Sequence, residues 1–112
     1  MIPELLLTVT LTCYHAVAGQ CNEDSLITAS GAVICSTDSA YTHRYCAVSR
    51  DLLEELPYGT IIEVSGCSID EYNGEWIIQD TMNKRYENYI DLLVNPGMPL
   101  TKEEVTIKTT EL

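Results

Sequence analysis

From Leu7 to Thr12 the chain alternates: Leu7, Val9 and Leu11 are apolar, and Thr8, Thr10 and Thr12 between them are polar and β-branched. A period of two puts successive side chains on opposite faces of a strand, so the pattern predicts a β-strand over residues 5–14. LITASG (26–31) reads as a short strand running into a turn, and YCAV (45–48) as a short apolar strand. Ser49 then stands where a helix N-cap would, with Leu52, Leu53 and Leu56 at helical spacing. That combination predicts a short α-helix over 49–56, ended by Pro57 and Gly59. TIIEVSG (60–66), WIIQD (76–80), YIDLLV (89–94) and EVTIKTT (104–110) supply further strands, and Asn73-Gly74 marks a hairpin turn within 67–75. Residues 18–25, 36–44 and 95–99 read as polar loops or turns. Six or seven short strands with frequent turn signals, no repeat and no linker predict one mainly β domain over residues 1–112, a small barrel or a sandwich.

Composition narrows the function. The chain has 112 residues, of which 46% are apolar, enough for one self-sufficient core. Six Lys and Arg stand against seventeen Asp and Glu, a net charge of −11. Nucleic acids and anionic membrane surfaces both require a basic footprint, so both are excluded as expected partners. No apolar run approaches the ~20 residues of a spanning helix.

The five cysteines, Cys13, Cys21, Cys35, Cys46 and Cys67, are odd in number and form no CxxC pair. His15 and His43 fall in no metal-binding spacing, so neither a metal nor a cofactor is expected. The thiols are read as mainly unpaired and packed as small apolar groups. The N-terminal stretch lacks a basic leader and a long apolar segment, so no signal peptide is evident and it is read as the first strand.

The candidate chemistry lies in EWIIQDTMNKRYENYIDLLV (75–94). Two strand-like runs each carry one acid, Asp80 and Asp91, eleven positions apart. An acid at a strand end commonly holds a turn by accepting backbone N–H groups, and Asp91 has Arg85 and Arg50 as candidate ion partners. Trp76, in a strand run, reads as core packing ahead of a sugar platform. Tyr14, Tyr58 and Tyr89 read either as sugar contacts or as packing at a barrel rim.

The order of short elements resembles the three-aspartate (3D) domain and the rare-lipoprotein-A-like domains, over roughly residues 8–109. Pro57-Tyr58-Gly59-Thr60 stands for the PLGT element of that pattern, Asp80-Thr81 for the start of DTGG, and Asn88-Tyr89-Ile90-Asp91 for NRID, with the spacing of eleven kept. Thr28-Ala29-Ser30-Gly31 is similar to an earlier TATG element. Met82 and Asn83 stand where the family has two glycines, Tyr89 where it has Arg, and Ser49 where it has its first Asp, with Asp51 two residues on.

The resemblance implies a six-stranded double-psi β-barrel with one short α-helix, and cleavage of peptidoglycan as a lytic transglycosylase. In that reaction the attacking hydroxyl belongs to the sugar, so one carboxyl suffices to protonate the leaving oxygen and later accept the hydroxyl proton. It assigns Asp80 as the acid, Asp91 as its tuner and Asp51 as a third member. The strands carrying Asp80 and Asp91 are expected side by side, with both carboxyls in one cleft lined by the TASG and PYGT segments. Thr28, Ser30, Tyr58, Thr60, Thr81 and Asn83 are the expected substrate contacts. Peptidoglycan or another glycan is the implied partner, with action at the cell wall. The alternative is a non-catalytic glycan-binding or structural module, such as a phage virion component assembled with other proteins. The substituted glycines and Arg favour this second reading.

Overall fold

The computed structural model describes residues 6–15, 26–31, 33–34 and 43–109. Its strands are β1 (Leu6–His15), β2 (Leu26–Ile27), β3 (Val33–Ile34), β4 (Tyr45–Val48), β5 (Ile61–Ser65), β6 (Gly74–Thr81), β7 (Tyr89–Val94) and β8 (Glu103–Thr109). Six of them close into a barrel in the order β1-β7-β4-β6-β5-β8, while β2 and β3 pair separately as an antiparallel ladder. Two barrel ladders, β1–β7 and β4–β6, are parallel, and the others are antiparallel. Closure leaves no unpaired edge among these strands.

Alternation decides which face each strand buries. Val9 and Leu11 of β1, Cys46 and Val48 of β4, Ile62 and Val64 of β5, Trp76 and Ile78 of β6, Ile90 and Leu92 of β7, and Val105 and Ile107 of β8 all point inward and are buried. Trp76 is fully buried. Its indole N–H donates to the Tyr72 carbonyl at 2.8 Å, and the Arg44 guanidinium lies 4.0 Å from its ring centre. Trp76 is therefore core. Arg44 itself adopts φ 57 and donates to the carbonyls of Glu71, Asn73 and Glu75, pinning the segment that leads into β6. Truncating a core residue such as Ile78 to Ala costs about 2–5 kcal/mol at sites of this kind.

Three expectations need correction. The helix expected over 49–56 is a 3-10 turn, Arg50–Leu52, followed by further turns. Ser49 does not cap it: its Oγ accepts the backbone N–H of Tyr89 at 3.0 Å, so the hydroxyl is engaged by β7. Asn73-Gly74 does not form a two-residue hairpin, because Val64 is already in register with Gly74. The connection instead runs through a 3-10 turn at Asp70–Tyr72, and the Asn73 side chain closes it by bonding Cys67 N and O. Finally, the strands that carry Asp80 and Asp91 are not neighbours: β4 lies between β6 and β7.

The loop expected at 18–25, most of that at 36–44, Cys21 and Cys35 lie outside the described residues. Among the described residues no helix is long and apolar enough to cross a membrane.

Candidate functional site

One row of residues crosses four neighbouring strands. Thr12 of β1 is in register with Asp91 of β7, Asp91 with Ala47 of β4, and Ala47 with Asp80 of β6. A register shift between Cys46 and Ala47 brings Asp80, rather than Gln79, opposite Ala47. This bulge re-aims the side chain at the strand end. Thr12, Asp91 and Ala47 face outward, because their sequence neighbours Leu11, Ile90, Cys46 and Val48 fill the interior, and the bulge after Ile78 turns Asp80 to the same side.

Above the row lies a solvent-open cleft of about 370 Å³, lined by these four residues, by Cys13 and Tyr14 of β1, and by Thr81, Met82, Asn83 and Tyr86. The volume is at the lower end of the ~300–1,000 Å³ typical of small-molecule sites. Among the described residues that line it there is no Lys, Arg or His.

The two acids are held differently. Asp80 Oδ1 accepts the backbone N–H of Ala29 at 3.1 Å and that of Thr81 at 2.9 Å, so it ties the TASG turn to the end of β6. Asp91 Oδ1 accepts the Thr12 hydroxyl at 2.8 Å. Burial pushes the Asp91 carboxyl up to about 6; the Thr12 hydrogen bond opposes this, and the Asp80 charge adds to it. Burial, not the second acid, is thus the main cause. Two strand spacings separate the acids' backbones, roughly 9–10 Å, which fits the smaller share from Asp80. A carboxyl that exchanges its proton near pH 6 is suited to general acid–base work.

The other expected residues divide between the cleft and its supports. Thr81 and Asn83 line the cleft. Thr28, buried, shares a hydrogen bond with Ser30 at 3.1 Å, and Ser30 bonds β6 through both Gln79 Oε1 and Gln79 O. Tyr58 reaches the cleft's edge through a 3.1 Å hydrogen bond to Thr81. Gly59, at φ 91, gives its N–H to Ile78 O, and Ile78 N–H returns to Thr60 O. The TASG and PYGT segments therefore brace β6 from outside the cleft. Asp51 is also elsewhere: its carboxylate accepts the N–H of Asn88 at 3.0 Å. Asn88 holds φ 60, a left-handed conformation that Asn tolerates, and its side chain donates to Thr8 O. His15 hydrogen-bonds Met98 O at 2.8 Å.

Sequence reasoning did not single out Thr12, Ala47 or Met82 as part of the cleft. For Thr12 a signal existed, since the threonines of β1 mark its outward face. Met82 is buried, gives its N–H to Val48 O and receives Arg50 Nε at its carbonyl. Among the described residues no three His, Cys, Asp or Glu side chains converge as a metal site.

Comparison with family models, curated proteins and solved structures finds no match to this chain.

Proposed function

We propose that the cleft binds a glycan strand and cleaves it by the single-carboxyl chemistry of a lytic transglycosylase, with Asp91 as the proton-exchanging group and Asp80 as the fixed acceptor beside it. The observation that carries this reading is the contrast within one row. Asp91 is pushed up to about 6 by burial, while Asp80 accepts two backbone N–H groups. Asp91 in its acid form gives a proton to the glycosidic oxygen; as carboxylate it takes the proton of the sugar hydroxyl that attacks. The attacking hydroxyl is already part of the substrate, so no second catalyst is required to bring it in. The roles first expected for the two acids are thereby exchanged.

The double-psi arrangement belongs to the same proposal. Its support is the pair of parallel ladders, β1–β7 and β4–β6, inside an otherwise antiparallel closed barrel. Peptidoglycan is the substrate this reading names, and the cell wall the place of action.

One observation favours the alternative, a non-catalytic glycan-binding or virion structural module. Met82 stands where the resembling family has glycine, and it packs into the cleft wall as a buried side chain. Zymography on purified peptidoglycan, with mass analysis of the products, separates the two. Soluble fragments with 1,6-anhydro ends support the transglycosylase. Binding without release of fragments supports the module, and neither binding nor release removes the glycan reading altogether.

A further inference from the structure

Tyr14 follows Thr12 by two residues on β1, opposite Leu93 of β7, and so shares the outer face of the row. It lines the same cleft. Burial raises its phenol above the usual tyrosine range, and the charges of Asp80 and Asp91 raise it further, so the hydroxyl keeps its proton and lies within electrostatic reach of both acids. Yet it bonds neither of them. Asp91 takes its hydrogen bond from Thr12, and Asp80 takes its two from Ala29 and Thr81. Among the described residues Tyr14 Oη has no hydrogen-bond partner, and none of their fully buried side-chain oxygens or nitrogens lacks one, so Tyr14 Oη is not fully buried, and the residue lines the cleft.

Other hydroxyls at the cleft have partners: Thr12 donates to Asp91, Thr81 shares a hydrogen bond with Tyr58, and Tyr86 Oη accepts from Arg85. An O–H donor left facing a water-filled site is a site for a ligand acceptor. The acceptor's charge follows from the surroundings. Among the described residues two acids and no cation line the cleft, so an anionic acceptor is repelled; an ammonium group would seek the carboxyls and has no lone pair to receive a phenol proton.

We infer that Tyr14 is a ligand-binding residue whose hydroxyl donates to an uncharged oxygen, a sugar hydroxyl or an acetamido carbonyl, of a glycan lying across Thr12, Asp91, Ala47 and Asp80. The inference rests on the glycan reading and adds to it the residue that fixes the sugar's register against Asp91.

The test is Tyr14→Phe, which keeps the ring and removes only the donor. The tetramer of N-acetylglucosamine is titrated into the parent protein and the variant, with binding followed by NMR shifts and Tm measured in parallel. The variant should bind about threefold to tenfold more weakly, the equivalent of one uncharged hydrogen bond, at unchanged Tm. Binding of equal strength in both proteins overturns the assignment of Tyr14 and leaves the glycan reading standing, as does a lowered Tm with unaltered affinity. Absence of binding by the parent protein overturns the glycan reading and this inference together.

Discussion

Asp80 and Asp91 share one neighbour: Ala47 is in register with Asp80 across a parallel ladder and with Asp91 across an antiparallel one. The smallest chiral side chain therefore stands between the two acids, and the space above its methyl group is the floor of the cleft. Asp80 acts on Asp91 across β4, but burial governs Asp91 first.

That separation predicts a measurable stability signature. The Asp91 carboxyl is raised by burial from 3.8 to about 6. Between those values the native protein binds more protons than the unfolded chain, so this group's contribution to stability is present at low pH and falls as pH rises through the window. The loss is about 1–3 kcal/mol, because each tenfold change in a carboxyl's proton affinity is worth about 1.4 kcal/mol. Urea melts of wild type and Asp91→Asn at pH 4 and pH 7.5 check it. The variant should gain on wild type at the higher pH; a variant that loses ground there contradicts the burial argument.

Turnover should follow the same group. If Asp91 supplies the proton, the rate on peptidoglycan declines about tenfold per pH unit above about 6. Asp91→Asn should lose at least about a hundredfold in rate, the scale of one general acid–base group. Asp80→Asn should keep measurable turnover and lose about 1–2 kcal/mol of stability, because a charged acceptor of two N–H groups becomes neutral. The reverse ranking of the two variants would return the acid's role to Asp80.

Ala47→Val adds two methyl groups to the cleft floor while keeping a residue suited to a strand. It should weaken glycan binding about tenfold or more and change stability by less than about 1.5 kcal/mol, because the added volume enters the cleft and not the core. Unchanged binding would place the ligand elsewhere on the barrel.

Cys13, Cys46 and Cys67 are free thiols. Burial raises all three, Cys13 to about 11, so little thiolate exists at neutral pH. Thiol reagent at pH 7 should leave Cys46 unmodified in the native protein and find at least three reactive groups in denaturant without reductant. Fewer than three would mean that these cysteines pair in solution.

Much of the barrel was legible because its strands are locally consistent. The alternation at Leu7–Thr12 gives β1 directly, and Tyr89–Val94 matches its strand to the residue. The helix failed because Ser49 meets the criterion for a cap in sequence while its hydroxyl serves β7 in space. Strand adjacency was illegible for a related reason: no local signal tells that Tyr45–Val48 inserts between two strands that follow it in the chain. The candidate acids were found by spacing, but their surroundings depend on Thr12, Ala47 and Tyr14, contributed by strands far away in sequence. The TASG and PYGT segments lie near the site in the expected order, yet they brace β6 rather than face the cleft.

The placement of β1 has a consequence for how the molecule forms. Its barrel partners are β7 and β8 alone, so Leu6 waits for Lys108, roughly 100 residues later, before its ladder exists. On the ribosome, β1 emerges first and stays an unsatisfied, alternately apolar edge while β4, β5 and β6 assemble. The row that places Thr12 against Asp91 cannot exist until β1 docks on β7. The cleft is therefore among the last parts of the molecule to be born, and a nascent chain stalled before β7 carries Thr12, Ala47 and Asp80 with neither Asp91 nor a site.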